Sequence, residues 1–234
     1  MKPSAHQTWA GGLLIVTPIL FTAAFTLLQV NFEYPDILRQ PAATVMEKFA
    51  AGGSGLIFNW YLMVLSSILF IPIAVMLHPH VARDDTPYMS VATAFGVTAG
   101  LVQMLGFIRW PFLVPTLASA YLDPSASEAT RSAIEVTFTA FNQYAGVGVG
   151  EHLGYLFTAL WTLLLCFALP RAGRYPFWLA WSGGALAVGI LLGTLEPLGV
   201  PLVGLVNAIA YSLWAVWLVV LGVYLLRFRR EVIR

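Results

Sequence analysis

The residues in this sequence that could do chemistry are a few ionisable and amide side chains within long apolar segments. Such residues are expensive to place inside a membrane, by several kcal/mol, and by default they mark a functional site. Arg109 is the sharpest signal, because a guanidinium keeps its charge and needs an acidic partner, a water-filled cavity or an anionic ligand. The candidate site residues are Asn59, Arg109, Glu151, His152, Glu196 and Asn207, with Tyr155 and Tyr211 as further polar groups.

Two carboxylates are candidate partners for Arg109. Glu196 is its counterpart in a weak internal repeat, in which residues 105–115 align with residues 192–201, and Glu151 is also within reach. We therefore expect Arg109 to lie within ion-pair distance of one of these two carboxylates. The sequence fits two interpretations: a structural ion pair that locks two helices together, or a pocket in which Arg109 orients a substrate, a lipid headgroup or a proton pathway.

Glu151 and His152 follow a glycine-rich segment, residues 146–150, whose missing side chains allow a tight entry into the membrane. His152 fits a general base, a metal ligand or an interfacial histidine without a catalytic role. If the protein is an enzyme, we expect acid–base chemistry in which His152 or Glu151 is the base and Arg109 stabilises negative charge. The remaining candidates, Asn59, Tyr155, Glu196, Asn207 and Tyr211, are assigned with Arg109 to binding.

No metal or cofactor is predicted, although a metal held by Glu151, His152 and Glu196 is conceivable. His78 and His80 are expected to lie a membrane thickness away from His152, so a pair of haem ligands is missing. Phosphate-binding and dinucleotide-binding motifs are also absent from the sequence.

The composition predicts the elements that must position these residues. The chain is 59% hydrophobic and only 10% charged, against about 25% charged residues in soluble domains. With so few polar residues its surface must face lipid, and the net charge of +1 argues against nucleic-acid binding. We expect an all-α membrane bundle that forms one domain over residues 1–234. The expected spans cover approximately residues 10–30, 56–78, 89–118, 150–169, 176–196 and 201–226.

Three local features of these elements are predicted. Pro111 and Pro115 should kink the third span. Residues 41–50 and 127–144 should form amphipathic loop helices on the outer face, the second beginning with a Ser125–Glu128 capping box. Several aromatic residues are interpreted as belts at the membrane interface. These are Trp9, Trp60, Trp110, Tyr121, Trp178 and Trp181.

Lys and Arg residues in the loops predict the orientation, because they are enriched on the cytoplasmic side. With the N-terminus inside, eight of them lie inside and three lie outside. The inside set is Lys2, Arg83, Arg171, Arg174, Arg227, Arg229, Arg230 and Arg234, and the outside set is Arg39, Lys48 and Arg131. We therefore expect a cell-membrane protein with both termini cytoplasmic and with the polar candidates in the outer half.

Three sequence segments resemble a group of uncharacterised bacterial multi-spanning membrane proteins annotated only as a domain of unknown function. They are Phe32–Arg39, Arg109–Pro111 and Glu151–Tyr155. The resemblance covers nearly the whole chain, and it implies topology but no mechanism.

The sequence favours binding of, or action on, a lipophilic or amphipathic small molecule at an outer polar pocket, with membrane lipids as neighbours. A structural or regulatory membrane subunit is the alternative. A small proton-coupled transporter is disfavoured by the apolar inner halves of the spans. Whether the protein is an enzyme, and its oligomeric state, are left open.

The orientation gives a direct prediction. In a variant without Cys166, Ser127→Cys should react with a membrane-impermeant thiol reagent added outside intact cells, and Asp85→Cys only after lysis. Labelling by mass shift on a gel measures both, and reversed accessibility would overturn the orientation.

Overall fold

Helices account for almost all of the structure, a computed structural model that describes residues 4–227. The described residues are 87% helical, and no β-strand occurs among them. The predicted all-α class is therefore confirmed. The α-helices are α1 (Ala5–Phe32), α2 (Ala42–Val81), α3 (Met89–Phe107), α4 (Arg109–Phe112), α5 (Val114–Tyr121), α6 (Glu128–Phe141), α7 (Gly154–Ala168), α8 (Phe177–Leu192) and α9 (Val203–Arg227).

Six helical segments among the described residues are long and apolar enough to cross a membrane, so the expected number of spans is confirmed. Two of them begin earlier than predicted, because each expected loop helix continues into the span that follows it. The six segments are Ala5–Phe32, Ala42–Val81, Met89–Tyr121, Glu128–Ala168, Phe177–Leu198 and Val203–Arg227.

The first loop helix is the beginning of α2, and a kink at Gly53 separates it from the span. Gly53 has φ 54° and ψ −150°, a conformation that is open to glycine because it has no Cβ. Val45, Met46 and Phe49 are buried, as their shared helix face predicts.

The second loop helix, α6, begins at a different cap from the one predicted. The Ser127 hydroxyl accepts a hydrogen bond from the Thr130 backbone N–H at 3.1 Å. The capping box expected at Ser125 is wrong, because the Ser125 N–H and hydroxyl both donate to the Asp123 carboxylate, at 2.8 and 2.6 Å. These two bonds stabilise the ionised carboxylate and lower the pKa of Asp123.

The third span is interrupted where its prolines lie. The α-helical assignment breaks at Ile108 and again at Leu113. Pro111 and Pro115 have no backbone N–H, so the carbonyls four residues before each proline lose their helical partner. Arg109 therefore begins the short helix α4 rather than lying within a regular span.

The helices contribute to two compact units. The first comprises, within the described range, residues 4–19, 67–101 and 152–227, and the second comprises residues 20–66 and 102–151. The core of the first unit contains Trp161, Trp214 and Trp217. The core of the second contains Trp60 and Trp110. The single domain over residues 1–234 stays a prediction.

Burial changes the interpretation of two tryptophans. Trp60 and Trp110 are fully buried, so the prediction that they belong to an interface belt is wrong. Both rings pack against other aromatic rings of their unit. Trp9, Trp178 and Trp181 are exposed, at 69%, 52% and 68%, which fits the belt interpretation for these three.

Candidate functional site

Arg109 lies in the second unit with only 8% of its surface exposed. Its guanidinium donates one hydrogen bond to the Gly106 backbone carbonyl and another to the Asn142 side-chain oxygen at 3.0 Å. Its Cζ atom also lies 5.1 Å from the centre of the Trp110 ring, within the range of a cation–π interaction. The positive charge is therefore surrounded by dipoles and by an aromatic face.

A π-helix, Asn142–Leu153, forms one wall of this arginine site. π-helical turns are rare and occur frequently at functional sites. The segment contains three glycines, which lower its preference for a regular α-helix. Asn142, the acceptor for Arg109, is the first residue of this segment.

Two of the glycines make room for close contacts in the second unit. A Cβ atom at Gly146 would collide with the Arg109 guanidinium, which occupies that space. A Cβ at Gly106 would lie 2.6 Å from the Cα of Gly150, so the backbones at these two residues touch. By contrast, a Cβ at Gly148 would meet only a carbonyl at 3.5 Å.

Tyr34 and Glu151 complete the electrostatic surroundings of Arg109. Burial raises the pKa of the Tyr34 hydroxyl, and the Glu151 carboxylate raises it further, whereas the Arg109 guanidinium opposes the shift. Tyr34 therefore stays protonated at neutral pH. Glu151, one of the two carboxylates considered for Arg109, interacts with it electrostatically.

An aromatic cluster lies beside the guanidinium. The Trp60 and Trp110 rings are stacked, with centroids 4.5 Å apart and planes within 6°. Phe32 meets Trp110 edge-on at 5.3 Å, and Phe49 stacks on Trp110 at 5.8 Å. These contacts hold Trp110, and with it the face presented to Arg109, in one position.

Four buried polar atoms of the second unit have no hydrogen-bond partner among the described residues. Three are donors, namely the Nε of Arg109 and the indole nitrogens of Trp60 and Trp110. The fourth is the side-chain oxygen of Asn59, whose amide nitrogen donates to the Ala24 carbonyl at 3.2 Å. An unsatisfied buried group costs about 1–3 kcal/mol, so four of them are a large cost for one small unit.

The other predicted site residues belong to the first unit. Asn207 is buried and donates to the Ile190 carbonyl at 2.8 Å. The rings of Tyr155 and Tyr211 lie 5.6 Å apart. His152 is half-buried, whereas Glu196 is exposed. Roles of these first-unit residues in a shared site with Arg109 stay a prediction.

Tyr34, Asn142 and the two stacked tryptophans were missed as neighbours of Arg109. A signal for Tyr34 existed, because the three segments quoted for the family resemblance contain Tyr34, Arg109 and Glu151. Arg109 and Glu151 both influence the pKa of Tyr34, and Glu151 interacts with Arg109. No comparable signal marked Asn142.

The fold and this buried arginine define a multi-pass α-helical membrane protein. Residues 9–228 match the family described as a domain of unknown function, DUF4386. The chain belongs to that family, which confirms the predicted resemblance. The comparisons with curated proteins and with solved structures give no match.

The contact between Gly146 and Arg109 predicts a coupled pair of substitutions. Gly146→Ala should destabilise the protein by about 1–3 kcal/mol, because the new methyl group displaces a guanidinium held by two acceptors. In an Arg109→Leu background the same change should be nearly neutral, since the colliding atoms are gone. Thermal unfolding of the four proteins in a mild detergent measures this coupling.

Gly148→Ala is the matched control for this cycle. It lies in the same π-helix with room for a methyl group, so it should be neutral or slightly stabilising. Equal losses from both alanine substitutions, or additive effects of Gly146→Ala and Arg109→Leu, would contradict the arrangement.

Proposed function

We propose that this protein binds a lipophilic or amphipathic small molecule whose polar group is received beside Arg109. The observation that carries the proposal is the set of buried donors around Arg109. A permanently charged side chain persists inside a membrane protein only with strong compensation, and such residues by default mark functional sites.

The chemistry of these groups suggests what the guest presents. Arg109, Trp60 and Trp110 each offer a buried N–H donor, so the guest needs hydrogen-bond acceptors. Carbonyl, carboxylate and phosphate oxygens are groups of this kind. Because Glu151 already offsets part of the arginine charge, a neutral carbonyl group fits as well as an anion.

The apolar part of such a guest has suitable neighbours in two exposed aromatic rings of the second unit. Phe112 lies three residues after Arg109 and is 60% exposed, and its ring meets that of Tyr61, which is 41% exposed. A hydrocarbon chain could follow these exposed rings into the surrounding lipid while its head reaches the donors. On the proposed orientation, with both termini cytoplasmic, this site lies in the outer half of the membrane.

The two acceptors of Arg109 within the protein favour the structural alternative. The Gly106 carbonyl and Asn142 hold the guanidinium without a guest, as a residue that only stabilises the fold would be held. The unpartnered donors favour binding over this alternative. Catalytic roles for His152, Glu151 and Arg109 stay a prediction.

Retention of co-purified molecules tests the proposal. Protein extracted in a mild detergent should carry an amphiphile with an acceptor head at close to one per chain, measured by native mass spectrometry and by analysis of an organic extract. Arg109→Gln should lower this amount about tenfold, because one charged hydrogen bond contributes about that factor. Trp110→Phe, which removes the indole donor together with part of the ring, should lower it as well.

Trp217→Phe is the control, because the Trp217 indole already donates to the Leu179 carbonyl at 2.9 Å in the first unit. It should reduce stability but leave the bound amphiphile unchanged. Identical bound molecules in the wild type, Arg109→Gln and Trp110→Phe would contradict binding and favour the structural subunit.

A further inference from the structure

An open cleft in the first unit, far in sequence from Arg109, has its own set of polar side chains. Its volume is about 380 Å³. The first turn of α1, the end of α2 and the connection before α8 form its walls. The lining residues are Ser4, His6, Gln7, Pro79, His80 and Arg174.

The described residues that line this cleft include a permanent positive charge, that of Arg174, and no carboxylate. The neighbouring Tyr175 adds no negative charge, because burial raises the pKa of Tyr175 to about 12 and the hydroxyl stays protonated. Arg83 also acts on Tyr175, so a second guanidinium adds to the positive potential at this end of the unit.

Two histidines add hydrogen-bonding capacity to the cleft. The Nδ1 atom of His6 lies 2.9 Å from the Nε2 atom of His80, a hydrogen bond in which one ring donates and the other accepts. An imidazole can take up a proton near pH 6.5, so the pair can present a donor or a charge to an anion. A metal cation is disfavoured, because two histidines beside an arginine give too few ligands and a repelling charge.

The surroundings of the cleft resemble the headgroup level of a membrane. Trp9, two residues along α1 from Gln7, is 69% exposed, and Trp178, four residues after Arg174, is 52% exposed. Exposed tryptophans prefer the membrane–water interface. Lining residues of the cleft therefore lie close in sequence to two tryptophans that favour the headgroup level of the membrane.

We propose that this cleft binds a phosphate group, with Arg174 as its main charged contact and His6 and His80 as hydrogen-bonding partners. A lipid headgroup and a free phosphate present the same chemistry, and the level of the exposed tryptophans favours the headgroup. An open cleft of this volume admits a headgroup whose acyl chains stay in the bilayer. The site uses none of the residues proposed for the small molecule at Arg109.

Thermal stability of the whole protein in a neutral detergent tests this site. Dioleoylphosphatidylglycerol should raise the melting temperature of the wild type, whereas a lipid with the same chains but no phosphate, dioleoylglycerol, should raise it much less. Arg174→Gln should weaken the apparent affinity for phosphatidylglycerol about tenfold. Arg174→Lys, which keeps the charge, should recover part of it.

Further measurements distinguish a lipid headgroup from free phosphate as the ligand, and a second variant covers the case in which Arg174→Gln does not fold. Stabilisation by millimolar inorganic phosphate that Arg174→Gln abolishes would assign the site to the free anion and would also support it. If Arg174→Gln fails to fold, the double variant His6→Asn/His80→Asn serves the same purpose. Arg39→Gln, at an exposed arginine of the second unit that pairs with Asp36 at 3.3 Å, should leave the lipid effect unchanged.

Three outcomes would overturn the proposal. These are equal stabilisation of the wild type and Arg174→Gln by phosphatidylglycerol, equal stabilisation by the two lipids, and stabilisation by zinc chloride alone. The last would indicate a metal site at the histidine pair.

Discussion

The permanent charge of Arg109, buried in an apolar protein, is the constraint on which the second unit depends. A guanidinium cannot be neutralised by losing a proton, so its cost must be met by neighbouring groups. A backbone carbonyl, one amide oxygen, an aromatic face and the charge of Glu151 together surround it. The carbonyl and the aromatic face are local to Arg109, whereas Asn142 and Glu151 come from the distant π-helix, so the arginine fixes how that helix packs against the third span.

The glycines of the π-helix follow from the same constraint. Gly146 leaves the space that the guanidinium occupies, and Gly150 allows the backbone at Gly106 to approach. Glycine in a helix lowers stability by about 0.5–1 kcal/mol relative to alanine, so these positions lose helix propensity in exchange for close packing. The stacked tryptophans, both fully buried, form the aromatic wall beside the charge.

The sequence predicted the helical class and the six spans, because a long apolar segment that crosses a membrane forms an α-helix, which satisfies its own backbone hydrogen bonds. It also identified Arg109 as unusual. It could not predict Asn142 as a partner of Arg109, or Trp60 as the ring stacked on Trp110, because packing between segments that are distant in the chain brings them there. The weak repeat drew attention to Glu196, which is exposed and whose part in the site stays a prediction. Trp60 and Trp110 were misassigned because composition cannot distinguish a tryptophan at the interface from one in an aromatic core.

The central claim is that the buried donors of Arg109 and its neighbouring tryptophans are satisfied by a bound molecule. A high-resolution electron cryo-microscopy map of the wild-type protein, extracted with its native lipids and held in nanodiscs, tests this claim most directly. The account predicts non-protein density within hydrogen-bond distance of the Arg109 Nε atom, continuing along the apolar surface towards Phe112. A map in which Arg109, Trp60 and Trp110 pack only against protein atoms, with every donor bonded within the chain, would contradict it.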